Sequence, residues 1–173
     1  MVKATVRAYI AHTFKHRKYV KEVLVPKINA LGIITKNPFY ELDGISKREE
    51  VKLADKSDYQ GLSSSKVAKN VMTKNDKDKQ KLISMIKHNN KTIVPRDLGF
   101  IDRTDFTIAF MTEISKGTSD EIFYTGIVKR RPVFLLCGNP EVYDHPWFNY
   151  ECRLGKICKT EEELIRALRR KYG

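Results

Sequence analysis

Between two helix starts the chain carries a short apolar strand, Phe106 to Met111, and this arrangement restricts the possible folds more than any other feature. Ahead of the strand Asp97 opens a short segment with Leu98, Phe100 and Ile101. Behind it the turn Ser115-Lys116-Gly117-Thr118 leads to Glu121, in the first turn of a second helix. A strand of about five residues framed by helices is an α/β pattern. Pro132 to Cys137 is a continuous apolar run, the mark of a parallel strand buried on both faces. In open α/β sheets helix N-termini gather at the carboxyl edge of the strands, where ligands bind. Asp97 and Glu121 should therefore face one crevice.

The rest of the chain fits this frame. Ala4 to Ala11 predicts a first strand with Val6, Ala8 and Ile10 on one face. Val20, Val23, Leu24, Ile28 and Leu31 fall at helical spacing, Gly32 closes that helix, and Pro26 should kink or split it. Ile33 to Lys36 reads as a second strand, ended by Asn37-Pro38. Ser119 to Lys129 reads as a helix, Gly138 to Gly155 as a long aromatic-rich loop, and Lys156 to Cys158 as a short last strand. Thr160 and Glu163 form a capping box for a final helix docked by Leu164, Ile165 and Leu168. Residues 41–92 differ in composition, with alternating charge, and read either as a solvated helical layer or as a charged lid.

At 173 residues the chain is expected to form one domain, 1–173, with 41–92 as its variable segment. No apolar run approaches the ~20 residues of a membrane span, and the start passes directly into a strand pattern, which argues for a cytoplasmic protein. Cys137, Cys152 and Cys158 lack CxxC spacing and read as free thiols, and His12, His16, His88 and His145 do not cluster as metal ligands. Without a Walker-A loop, GxGxxG or GxSxG, neither metal nor cofactor is expected. The net charge of +12 admits a solvated surface, steering of small anions, or nucleic-acid binding. Because the cations are scattered, with no aromatic-interleaved groove motif, nucleic acid ranks last.

Asp97-Leu98-x-x-Ile101-x-x-x-Asp105, the strand ending in Ala109 and Phe110, Gly117-Thr118-x-x-Glu121 and Arg131-Pro132-Val133 together resemble the core of the nucleoside 2-deoxyribosyltransferase family and its nucleotide N-glycosidase relatives. Tyr9-Ile10-Ala11-His12-Thr13-Phe14 stands where that family has a strand ending in a Tyr-Leu-Ala-Gly-Pro-Phe type turn, with His12 and Thr13 replacing Gly and Pro. The resemblance covers residues 4–40 and 94–168. It implies a flavodoxin-like, Rossmann-like doubly wound fold: a mostly parallel five-stranded sheet with helices on both faces.

It also implies an enzyme that cleaves or transfers at the N-glycosidic bond of a deoxynucleoside or its 5′-monophosphate. Such a reaction passes through an oxocarbenium-like state and needs two carboxyl functions in complementary roles. The resemblance gives Glu121 the part of nucleophile at C1′, Asp97 that of handling the base proton, and Tyr9 that of holding the sugar or the glutamate. Ser115, Gly117, Thr118 and Asn149 would contact substrate, Ser115 as the residue that accepts a 5′-phosphate, and the expected partners are a small nucleoside or nucleotide and further copies of the chain. On spacing alone, Thr118-Ser119-Asp120-Glu121 reads more readily as a capping box than as a site, and Asp97 equally as a helix N-cap. The rival readings are a non-catalytic nucleotide-sensing module and a basic nucleic-acid-binding protein.

Overall fold

The computed structural model describes residues 5–38 and 94–173. The chain forms two compact units, residues 1–41 with 98–173, and residues 42–97. The readings made for 41–92 lie outside the described residues.

The first unit is built on a sheet of five parallel strands: β1 Arg7–His12, β2 Ile34–Lys36, β3 Phe106–Phe110, β4 Val133–Leu136 and β5 Lys156–Cys158. Their spatial order is β2-β1-β3-β4-β5. This is the flavodoxin-like order, and the winding reverses between β1 and β3. Alternation along the strands produces two apolar cores. Ala8, Ile10, Phe106, Ile108, Phe134 and Leu136 point to one face, joined there by Leu24, Ile28 and Leu164. Tyr9, Ala11, Ala109, Val133 and Leu135 point to the other, where Ile101, Ile122 and Phe148 meet them. Burial on both faces is why the central strands read as continuous apolar runs.

The helix expected after β1 begins at 14 and is irregular. A 3-10 turn Phe14–His16 passes into α-helix Arg17–Tyr19, π-helix Val20–Leu24 and α-helix Val25–Asn29. Pro26 explains the change. It supplies no N–H and crowds the preceding turn, and just ahead of it the Val25 amide reaches back five residues to the Val20 carbonyl. Gly32 ends the segment at φ +80°, a conformation open to glycine without strain.

Three expectations about helices are corrected. The helix after β3 runs Lys116–Phe123 with Ser115 at its N-cap, continuing as π-helix Tyr124–Val128. Glu121 is therefore the sixth helical residue, not a first-turn residue, and the capping box with Thr118 does not form. Asp97 lies within a helix described over 94–102 and is not its N-cap. Finally, 138–155 is not a loop: Asn139-Pro140 and His145-Pro146 start the helices Pro140–Tyr143 and Pro146–Glu151. Proline at the first helical position has φ preset for a helix, and Asn139 accepts a hydrogen bond from the Glu141 amide.

The last helix, Glu161–Tyr172, starts as expected. Thr160 accepts from the Glu163 amide, while the Glu163 carboxylate accepts from the Lys159 amide. Close packing fixes two glycines. A Cβ on Gly155 would lie 2.0 Å from the Val133 carbonyl oxygen, and one on Gly126 would lie 2.2 Å from that of Glu151. The three cysteines are buried free thiols. No described helix is long and apolar enough to cross a membrane.

Candidate active site

The carboxyl edge at the β1/β3 reversal is where this fold holds ligands. Tyr9 is the third residue of β1, in the strand interior rather than at its end, and its ring is fully buried on the face covered by the Lys116–Phe123 helix. Its hydroxyl donates to Glu121 Oε1 at 2.7 Å. That is the length of a phenol donating to a carboxylate, and it fixes one oxygen of the acid. Two residues 112 positions apart thus meet across adjoining layers of the fold.

A second chain of hydrogen bonds anchors the backbone of Glu121. The Thr125 hydroxyl donates to the Glu121 carbonyl at 2.9 Å, and Thr107 Oγ1 lies 2.8 Å from Thr125 Oγ1. Since the single proton of Thr125 is already committed, Thr107 must donate in that pair. Both threonines are fully buried. Thr107, the polar residue in Phe-Thr-Ile-Ala-Phe, was the sequence signal for this anchor.

Ser115 occupies the N-cap, yet its side chain makes no capping hydrogen bond, unlike that of Asn139 or Thr160. Lys116 is exposed and pairs with Asp120 one turn on. Gly117 is the second helical residue, and a Cβ there would meet nothing within 4 Å. Neither φ nor protein packing therefore requires glycine, in contrast to Gly126 and Gly155. Thr118 is buried one residue further on. Asn149 is exposed on the Pro146–Glu151 helix, its amide donating to the carbonyls of Tyr143 and His145, both at 3.0 Å.

Asp97 is the last residue of the second unit. Its Oδ1 takes hydrogen bonds from Arg96 Nε at 2.9 Å and Nη2 at 2.8 Å. Burial raises its pKa above the usual aspartate value, with the Arg96 charge opposing the shift.

Further polar contacts at this edge were not read from the sequence. His12, at the end of β1, is buried; its Nδ1 lies 2.9 Å from the Thr13 carbonyl oxygen and its Nε2 3.1 Å from the Asn37 amide nitrogen. A carbonyl can only accept, so Nδ1 carries the proton and Nε2 accepts from Asn37. Burial lowers the pKa of His12, in keeping with a neutral ring. His16 bonds to the Thr112 hydroxyl and Asn139 to the Thr112 carbonyl, tying together the segments that leave β1, β3 and β4. At the opposite, amino edge, Arg131 of the Arg-Pro-Val motif donates to the carbonyls of Ile101, Asp102 and Thr104 and so closes the end of the 94–102 helix. Among the described residues no group of three or more His, Cys, Asp and Glu is placed to hold a metal ion.

No protein-family model and no curated protein matches the chain. Among solved structures, one of a 2-deoxyribosyltransferase from the psychrotolerant bacterium Bacillus psychrosaccharolyticus is similar at 16% identity and a TM-score of 0.47, covering 92% of this chain and 90% of that one. No functional statement follows from a likeness of that degree.

Proposed function

We propose that this protein cleaves or transfers at the N-glycosidic bond of a deoxynucleoside or deoxynucleoside 5′-monophosphate, with Glu121 as nucleophile. The observation that carries this reading is the Tyr9 to Glu121 hydrogen bond beside the β1/β3 reversal. A carboxylate with one oxygen held by a buried phenol has a fixed plane, as attack on a sugar carbon demands. In the proposed step a Glu121 oxygen bonds to C1′ as the C1′–N bond breaks. The electron pair leaves with the base, which takes a proton from Asp97. Water or a second base then attacks C1′ and releases Glu121, and the proton that the water or the incoming base N–H loses returns to Asp97. Gly117 supports the reading, because an unneeded glycine in a helix costs about 1 kcal/mol and leaves room for a substrate to approach the backbone. The test is incubation with each deoxynucleoside and 5′-monophosphate, with and without a second free base, measuring released base. No release from any of them would refute the activity.

The raised pKa of Asp97 gives a pH prediction. Its acid form persists to higher pH than that of an ordinary aspartate, so a rate that needs the proton falls as pH rises through the raised value. Stability moves the same way. Between the ordinary and raised values the folded state binds more protons than the unfolded chain, so this group's contribution declines as pH climbs through that window. Asp97→Asn is expected to lower the rate roughly 10²–10⁴-fold and to remove both dependences. An unchanged rate profile would reduce Asp97 to a structural residue.

Ser115 bears on the phosphate. A hydroxyl not used for capping, beside Lys116 and the exposed amides of a helix N-terminus, suits a 5′-phosphate, which an aspartate there would repel. Wild-type protein is expected to prefer the 5′-monophosphate over the plain deoxynucleoside, and Ser115→Asp to reverse that order. A wild-type preference for the nucleoside would favour plain nucleoside transfer instead.

A further inference from the structure

We propose that the amino edge of the sheet, opposite the candidate active site, binds single-stranded nucleic acid. In sequence the cations are scattered, but a parallel sheet brings every strand entry to one edge. Arg103 precedes β3, Arg130 precedes β4, Arg153 precedes β5, and Lys156 opens β5. The final helix runs back against the strands and returns Arg169 and Arg170 to the same edge. Its end is fixed there by the Lys171 ammonium donating to the Leu154 carbonyl and by the Tyr172 ring stacked on Phe106. Lys156 and Arg170, with Phe134, line a shallow pocket of about 290 Å³.

Of the acids toward this edge, among the described residues, Asp102 pairs with Lys129, Asp105 accepts from the Arg7 amide, and Glu151 is buried away from the surface. Arg130, Lys156, Arg169 and Arg170 are exposed, and no ion pair joins them to a carboxylate among the described residues. The positions from β3 to β5 span two strand spacings, roughly 10 Å, about three nucleotides of a stacked strand. Arg130 sits at φ +52°, a left-handed conformation that glycine adopts without strain, yet the chain places a long cation there.

Aromatic rings choose the class of polyanion. Trp147 and Tyr150 are 60% and 59% exposed, one turn apart on the Pro146–Glu151 helix that leads toward the entry of β5. Arg153 follows at the same spacing, its guanidinium 4.2 Å from the Tyr150 ring centroid. Exposed rings beside a cationic stripe are what unpaired bases stack on, whereas a duplex hides its base faces.

The experiment is fluorescence anisotropy with a labelled 20-nucleotide oligothymidylate between 50 and 200 mM salt. With about four phosphates contacted, affinity is expected to fall roughly 50-fold over that range. Arg169→Ala with Arg170→Ala should weaken binding at least tenfold at 50 mM salt and flatten the logarithmic salt slope by roughly 1.4. Trp147→Ala should weaken it roughly 5- to 100-fold with the slope unchanged. Lys15→Glu with Lys18→Glu, on the helix after β1, should have little effect. Several results overturn the proposal: no binding at 50 mM salt, binding indifferent to the amino-edge and Trp147 variants, tighter binding of a duplex of equal length, or capture by phosphatidylserine vesicles without oligonucleotide binding. Because this edge is distinct from the Tyr9 and Glu121 site, failure here leaves the base-release assay unaffected.

Discussion

Glu121→Gln is expected to lower base release roughly 10³-fold or more while leaving the protein folded. The substitution keeps the shape of the side chain and an oxygen able to accept from Tyr9, so the contact across the fold survives in weaker, neutral form. The difference between a charged and a neutral acceptor is about 1 kcal/mol. A thousandfold loss of rate is about 4 kcal/mol of transition-state stabilisation. Those magnitudes separate the two roles: a residue that only braces the fold would lower stability by about 1 kcal/mol with turnover close to normal. Measuring urea unfolding and base release on the same preparation decides between them, and near-normal turnover would sink the nucleophile assignment.

Gly126→Ala should be the most damaging single-methyl change near the site. The added carbon would lie 2.2 Å from the Glu151 carbonyl oxygen and 3.0 Å from its carbonyl carbon, and backbone cannot swing aside as a side chain does. The π-helix Tyr124–Val128 and the Pro146–Glu151 helix would have to separate, at about 1–3 kcal/mol or more. Gly117→Ala is the counterpart. Its methyl meets no protein atom, and alanine is the better helix former, so stability should rise by about 0.5–1 kcal/mol. If substrate approaches the backbone there, base release should fall even as the melting temperature rises. Equal melting temperatures for Gly126→Ala and wild type would contradict the packing argument, and full activity in Gly117→Ala would remove that glycine from the site.

The sheet was legible because its strands are buried on both faces, which leaves runs such as Val133 to Leu136 with no polar alternative. Lys156–Cys158 and the cap at Thr160 were legible for a local reason: their signals lie within a few residues. Helix starts were harder. Ser119 looked like a beginning because Thr118 and Glu121 imitate a capping box, whereas the chain turns helical at Lys116 under an N-cap serine whose hydroxyl takes no part in capping. The prolines at 140 and 146 signalled helices but were outweighed by the aromatic, polar character of their surroundings. At the candidate site, the individual residues were visible, but their partners were not. Tyr9 with Glu121, Thr107 with Thr125 and His12 with Asn37 are long-range pairs created by the winding, and spacing along one chain carries no trace of them. The basic edge is the same lesson in reverse, since cations far apart in sequence share an edge once the strands are parallel.

The buried cysteines make this protein a convenient host for site-directed labelling. Burial pushes the Cys152 thiol up to about 12 and the Cys158 thiol to about 11, and raises Cys137 as well. At neutral pH the reactive thiolate of Cys152 is then present at roughly one part in 10⁵, and that of Cys158 at roughly one in 10⁴. Alkylating reagents should pass all three by in the folded state. A cysteine introduced at exposed Gly117 would outcompete them, so a fluorophore or spin label attached there would report on the start of the Lys116–Phe123 helix without removing any native thiol.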